Sequence, residues 1–445
     1  MYQFPKDVYA DIRIEEKYYL WLEAKNGDLE SDGMTTESGA MIRVFDGNMW
    51  YIATTNNLSE IQKELDNLMT LATPNPNISE HPVVKKFQVH NENIVLFDKD
   101  TDVRKISRQD WKKLLDHYIE KCVDESISEL SLWNVYCDCY YLKKSFYSSK
   151  GASIIQDNQE CCLGVVYGIT VDGVTSYPGK RYRKFQMHEL YGHEEEILEE
   201  LKRGLDFAKN AQPLEPGQYT CILGPRATAV FTHESFGHKS ESDFMLNDKV
   251  LQDEWELGKQ VGNPKISICD RGDWFHAGYT PYDDEGTKAT ETWLMKDGVL
   301  TGRLHDANSA VVLGEELTGS ARARDYSCAP MVRMTNTFME RGEDDPEQMI
   351  AEVKDGIYIY DVYGGTGQAI FTMDPFISYR IRDGKLCEPI RINVVTGNVF
   401  ETLFDVDAVG TDLELFDAGS CGKNGQWVKV TTGGPSIRVK KMTVN

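Results

Sequence analysis

The sequence predicts an α+β protein of two domains, a mixed α/β domain over residues 1–212 and a strand-rich domain over residues 217–445 that carries an HExxxH helix. Three observations support this. A chain of 445 residues exceeds what a single hydrophobic core ordinarily serves. Its first half shows both two-residue and helical apolar periods, whereas beyond Asp270 the pattern is mostly short strands divided by glycine turns. Between the halves, Ala211-Gln212-Pro213-Leu214-Glu215-Pro216-Gly217 has the composition of a linker.

In chain order, alternating runs around residues 9–23 and 39–54 predict antiparallel strands, with Asn26-Gly27-Asp28 as the turn between them. Leu58, Ile61, Leu65, Leu68 and Ala72 then recur at helical spacing until Pro74-Asn75-Pro76 stops them. A second helix is expected from Ser107, whose side chain caps it with Asp110 three residues on, presenting Trp111, Leu114, Leu115, Tyr118 and Cys122 along one side. Residues 132–185 read as strands turning at Ser149-Lys150-Gly151 and Asp172-Gly173. Residues 194–210 read as a helix with Ile197, Leu198, Leu201 and Leu205 on one face and acids on the other. The second domain opens with a strand over residues 219–223, turns at Gly224-Pro225 and enters the helix carrying His233. Later turns are expected at Asp297-Gly298, Tyr363-Gly364-Gly365-Thr366-Gly367 and Asp383-Gly384.

Composition excludes several classes. Lys+Arg number 48 against 71 Asp+Glu, a net charge of −23, with a pI of about 4.9. Such a field repels phosphate, so no nucleic-acid partner is expected, and Arg181-Tyr182-Arg183-Lys184 is the one short basic run of note. No apolar stretch is long enough to span a membrane, and residues 1–7 lack the charged-then-apolar build of a signal peptide. Ten cysteines without a disulfide pattern fit reduced thiols in the cytoplasm.

The densest chemistry lies in His233-Glu234-Ser235-Phe236-Gly237-His238. In H-E-x-x-H the histidines are four apart and share a helix face, ready to grip one Zn²⁺. Here they are five apart. At about 100° per residue the rings diverge by roughly 140° on a regular helix, so one metal is shared only if the helix bulges or ends between them. Gly237 stands where unusual backbone angles come most easily. A catalytic zinc site also needs a third protein ligand and an open position. His81, His90, His117, His188, His193, His276 and His305 are scattered without pairing. Cys137-Asp138-Cys139 and Cys161-Cys162 lack C-x-x-C spacing and read as buried thiols. Cys421 differs, lying in the glycine-dense segment 419–425 with Lys423 two residues away, where a cation favours thiolate.

The stretch His233-Glu234-Ser235-Phe236-Gly237-His238-Lys239-Ser240-Glu241-Ser242-Asp243 resembles the H-E-x-x-G-H-x-x-E-x-D signature of the TldD/PmbA family of zinc peptidases. Three later segments agree in the same order. Pro281-Tyr282-Asp283-Asp284-Glu285-Gly286 resembles the family's P-x-D-D-E-G, Arg333-Met334-Thr335-Asn336-Thr337 its R-M-T-N-T, and Cys421-Gly422-Lys423-Asn424-Gly425-Gln426 its C-G-K-x-G-Q. The resemblance implies that His233, His238 and Cys421 ligate one Zn²⁺ per chain and that Glu234 is the general base. The family holds a metal-bearing TldD type and a PmbA/TldE type lacking the ligand set, the two often pairing. Keeping the full set, this chain is similar to the TldD type, which implies unfolded peptides or leader peptides as substrate and a homodimer or a heterodimer with a PmbA/TldE-like subunit. It stops at Thr443-Val444-Asn445, where relatives run on through V-G-G-T.

Two imidazoles and a thiolate leave Zn²⁺ a net charge near one, a weaker Lewis acid than a three-histidine site, which raises the demand on Glu234 as proton carrier. Glu241 and Asp243 are candidates to orient the histidine N–H groups. Gly364-Gly365-Thr366-Gly367-Gln368 lacks the following helix a phosphate loop needs, and reads instead as a backbone wall for an extended peptide. Two alternatives stay open: a PmbA/TldE-like scaffold subunit that hydrolyses nothing alone, and a thiol enzyme in which Cys421 attacks directly with His233 or His238 as base.

Overall fold

Alternation of apolar and polar residues through the first 185 positions builds one eight-stranded sheet. Its main path runs Trp50–Thr55, Asp28–Phe45, Tyr9–Lys25, Leu130–Ser148, Ser153–Val171, Asn91–Ile94, with Val174–Ser176 and Gly179–Lys184 also on Ser153–Val171. The structure, a computed structural model, describes residues 2–99, 101–367 and 369–445. The long hairpins turn where expected, at Asn26-Gly27 and Asp172-Gly173, whose positive φ angles suit asparagine, aspartate and glycine. The second strand is longer than its pattern suggested and ends early. Asp46 Oδ1 accepts from the N–H groups of Asn48 and Met49, a local turn that detaches Trp50–Thr55 as a separate strand.

The expected helices lie over this sheet. Arg108–Cys122 starts at Ser107, whose hydroxyl accepts from the Asp110 N–H, a cap worth about 1 kcal/mol. Trp111, Leu114, Leu115, Tyr118 and Cys122 are all buried against Leu20, Leu22 and Val135, each large apolar side chain contributing roughly 1.5–3 kcal/mol. Glu194–Asn210 packs Ile197 and Leu201 into the same core, while Ile61–Met69 places Ile61, Leu65 and Leu68 over Ile12, Ile42 and Val44 elsewhere on the sheet. Cys137, Cys139, Cys161 and Cys162 are buried and free, as their sequence suggested.

The stretch read as a linker is tied down: Gln212–Pro213 pairs in parallel with Ile390 and Arg391, and Ala211 packs with Phe207, Phe376 and Ile377. Two sheets follow. Gly217–Leu223, Ile437–Val444, Val395–Asn398, Ile370–Arg382 and Asp355–Gly367 pair in sequence, and the last pairs back to the first, so this sheet closes on itself. The second is six-stranded, ordered Val299–Leu300, Glu291–Lys296, Ile268–Arg271, Asn336–Met339, Gln426–Gly434, Glu414–Lys423. Residues 363–367, expected as a turn, instead end a thirteen-residue strand, with Gly367 opposite Phe371, because main-chain pairing needs no side chains. Gln368, the last residue of that predicted wall, lies outside the described residues.

Candidate metal centre

Strand Gly217–Leu223 leads through Gly224 into helix Pro225–Phe231, with Pro225 in the first turn, where its missing N–H costs nothing. The helix then widens. Thr232–Gly237 is a π-helix, and the backbone N–H of His238 donates to the carbonyl of His233. This winding pairs residues five apart and reconciles the spacing with a shared ligand: the two rings lie with centroids 5.0 Å apart at 75°. Gly237 serves differently from its expected role. Its angles, φ −58° and ψ −53°, are ordinary helical ones, but a Cβ there would overlap Met334 Sδ, so the glycine makes room for Met334 instead of supplying unusual angles.

The third group arrives from a distant hairpin. Glu414–Lys423 is an edge strand joined to Gln426–Gly434 by Asn424-Gly425, both at positive φ (49° and 75°), the signature of a tight hairpin turn. Cys421, three residues before the turn, brings Sγ to 3.4 Å from His238 Nε2. Ligand atoms of His233, His238 and Cys421 all lie within 4.8 Å of one another, and this trio is the metal-capable cluster among the described residues. His233 Nδ1 is buried with no hydrogen-bond partner among them, which ordinarily costs roughly 1–3 kcal/mol. Two imidazoles and one thiol gathered this closely fit Zn²⁺ in type and number.

Electrostatics reinforce the convergence. Burial raises the Cys421 thiol, but hydrogen bonds and charge from His233 and His238 more than reverse that and hold it down to about 5. Burial lowers His238, yet Cys421 and Glu241 lift it to about 10. Burial pushes the Glu234 carboxyl above its usual range.

Of the two carboxylates expected to orient the histidines, Glu241 does so, with Oε2 3.2 Å from His238 Nδ1. Asp243 instead accepts from Lys423 Nζ at 2.7 and 2.8 Å. Lys423 also lies 3.1 Å from Glu241 and donates to the Val332 carbonyl, so its charge serves these acids, and the thiol is held down by the imidazoles. Sequence reading quoted Arg333 as part of the R-M-T-N-T segment but assigned it no role. Fully buried, it donates from Nη2 to the Cys421 carbonyl and from Nη1 to that of Gln426, clamping the hairpin. A lone arginine amid Met331, Val332 and Met334 was the available signal.

Glu234 and His238 border a cleft of about 530 Å³ whose other walls include Thr366, Gly367, Gly422 and Asn424. A Cβ on Gly367 would sit 2.7 Å from the Glu234 carbonyl oxygen, so the glycine strand lies directly on the helix.

The chain is 31% identical over 443 residues to metalloprotease MJ0996 of Methanocaldococcus jannaschii, covering 97% of this chain and 95% of that one. It is 28% identical over 419 residues to the zinc metalloprotease TldD homolog of Saccharolobus solfataricus, covering 92% and 90%. The fold matches TldE of Thermococcus kodakarensis with a TM-score of 0.74 at 15% identity, over 98% of this chain and 96% of that one. It also matches a proposed modulator of a DNA gyrase from Thermotoga maritima with a TM-score of 0.78 at 19% identity, again over 98% and 96%. The pattern of PmbA/TldA metallopeptidase domain 1 matches residues 10–72, and that of the PmbA/TldA metallopeptidase C-terminal domain matches residues 216–445. The chain belongs to the PmbA/TldD family of metallopeptidases.

Proposed function

We propose that this protein is a zinc-dependent peptidase that hydrolyses unfolded peptides or leader peptides, with His233, His238 and Cys421 as the zinc ligands and Glu234 as the general base. The reading rests on the convergence of those three ligand atoms within 4.8 Å beside a carboxyl that opens onto the same cleft. Zn²⁺ in that trio would supply the Lewis acidity that acidifies water and polarises a peptide carbonyl. Glu234 takes a proton from the attacking water and returns it to the leaving amine, a shuttle favoured by burial that raises its carboxyl above the usual range. The backbone of Thr366 and Gly367 holds an extended substrate by main-chain hydrogen bonds, which suits a chain without side-chain structure of its own. Glu241 and Arg333 keep His238 and the Cys421 hairpin in register.

In this reading residues 217–445 form the catalytic domain and 1–212 brace it. The protein works in the cytoplasm with its cysteines reduced, all ten being free. Likeness in fold to TldE supports assembly as a homodimer or with a TldE-like subunit. Loading the protein with zinc and following cleavage of an unfolded peptide tests the proposal: chelation abolishes cleavage and zinc restores it. The Cys421–His238 contact also has the form of a thiolate–imidazolium nucleophile. Cys421 is only 2% exposed, which disfavours direct attack on a peptide, and activity indifferent to chelator but lost on thiol alkylation would select that reading instead.

A further inference from the structure

The cleft beside Glu234 extends well beyond the trio, and its far side is apolar. Phe244, Met245, Leu251 and Trp255 line it. Met245 and Trp255 are buried, whereas Phe244 is 42% exposed. The cleft's two lysines are already committed. Lys239 Nζ contacts Glu254 at 2.5 Å and sits 4.4 Å over the Phe400 ring. Lys423 Nζ is held by Asp243 and Glu241 and sits 4.1 Å over the Phe244 ring. Each charge in that wall therefore faces an opposite charge on a neighbouring side chain.

From this we infer that the far side of the cleft is a side-chain subsite for a large uncharged residue, aromatic or branched aliphatic, flanking the cleaved bond. The inference deepens the peptidase reading and takes its position from it. A lysine or aspartate entering this space loses hydration and finds both ion pairs already closed, whereas a ring gains contact with Phe244, Met245 and Leu251. Main-chain contacts at Thr366 and Gly367 accept any sequence, so selectivity enters through this pocket.

The test uses the zinc-loaded full chain and a set of quenched fluorescent peptides in which each residue flanking one bond is Gly, Phe, Leu, Lys or Asp. In parallel, affinity for the same peptides is measured with zinc-loaded Glu234→Gln. At one flanking position Phe or Leu is expected to exceed Gly, Lys and Asp by roughly 10- to 100-fold in kcat/KM and in affinity. Leu251→Asp is expected to move the preference toward Lys by about tenfold or more. Should that variant misfold, Phe244→Ala, at an exposed ring, is expected to reduce the Phe-over-Gly ratio several-fold. Cleavage that is level across the five residues, or best with Lys or Asp, overturns the subsite and leaves the peptidase reading standing. Preferential binding of Phe peptides without cleavage of any peptide removes the peptidase reading and supports the subsite.

Discussion

Arg43 and His233 are both polar groups sealed from solvent, 5% and 7% exposed, and they are treated oppositely. Around Arg43 the guanidinium finds carboxyl oxygens on two sides. Its Nε and Nη2 donate to the two oxygens of Asp11, its Nη1 to Glu285, and the other Glu285 oxygen accepts from the Ala307 N–H. Nearby, Lys144 and the Ala323 N–H satisfy the two oxygens of Asp284. This network joins the first sheet to loop 283–285. Around His233 Nδ1 no hydrogen-bond partner is found among the described residues, and the groups that converge are another imidazole and a thiol, with the Glu234 carboxyl close by. Paired charge marks a joint, and three ligand-type atoms gathered within 4.8 Å of one another mark a place for a metal.

Substitutions on the two sides separate these roles. At the site, Glu234→Gln is expected to lower kcat by roughly 10²- to 10⁴-fold while zinc content, measured by atomic absorption, stays at one per chain. At the joint, Arg43→Ala leaves Asp11 and Glu285 buried without their partner and is expected to cost about 3–5 kcal/mol in denaturant unfolding, with the zinc trio intact in the folded fraction. Glu241→Gln weakens the hold on His238 Nδ1. Competition with a chromophoric chelator should show zinc affinity down by about 10- to 100-fold. Protons give a finer comparison. His238, lifted to about 10, carries a proton at neutral pH, while Cys421, held at about 5, does not. Zinc displaces the imidazole proton, so affinity should rise about tenfold per pH unit from 6 to 9, and calorimetry in two buffers should detect release of about one proton. Smallest of all, Lys249→Ala removes an exposed pair with Asp253 and should change stability by less than about 1 kcal/mol.

Much of this was legible in local sequence. Ser107 and Asp110 announced a cap that forms, and the Asn26-Gly27 turn joins the strands it separates. His233 and His238 at a separation of five required a distortion, and the π-helix supplies it. What stayed hidden depends on groups remote in the chain. The need for Gly237 comes from Met334, almost a hundred positions away, and the work of Lys423 comes from Glu241 and Asp243. The glycines of 363–367 resembled a turn because strand pairing is carried by backbone, which leaves no mark on side-chain pattern. Arg333 stood in a recognised segment, but its clamping role stayed hidden because its partners are carbonyls, to which sequence is blind.

Zinc K-edge X-ray absorption on the purified, zinc-loaded protein tests the central claim most directly. The account predicts one sulfur at about 2.3 Å and two imidazole nitrogens at about 2.0–2.1 Å, with the sulfur shell lost in Cys421→Ala. A wild-type shell of nitrogen and oxygen alone, or one unaltered by that substitution, would contradict it.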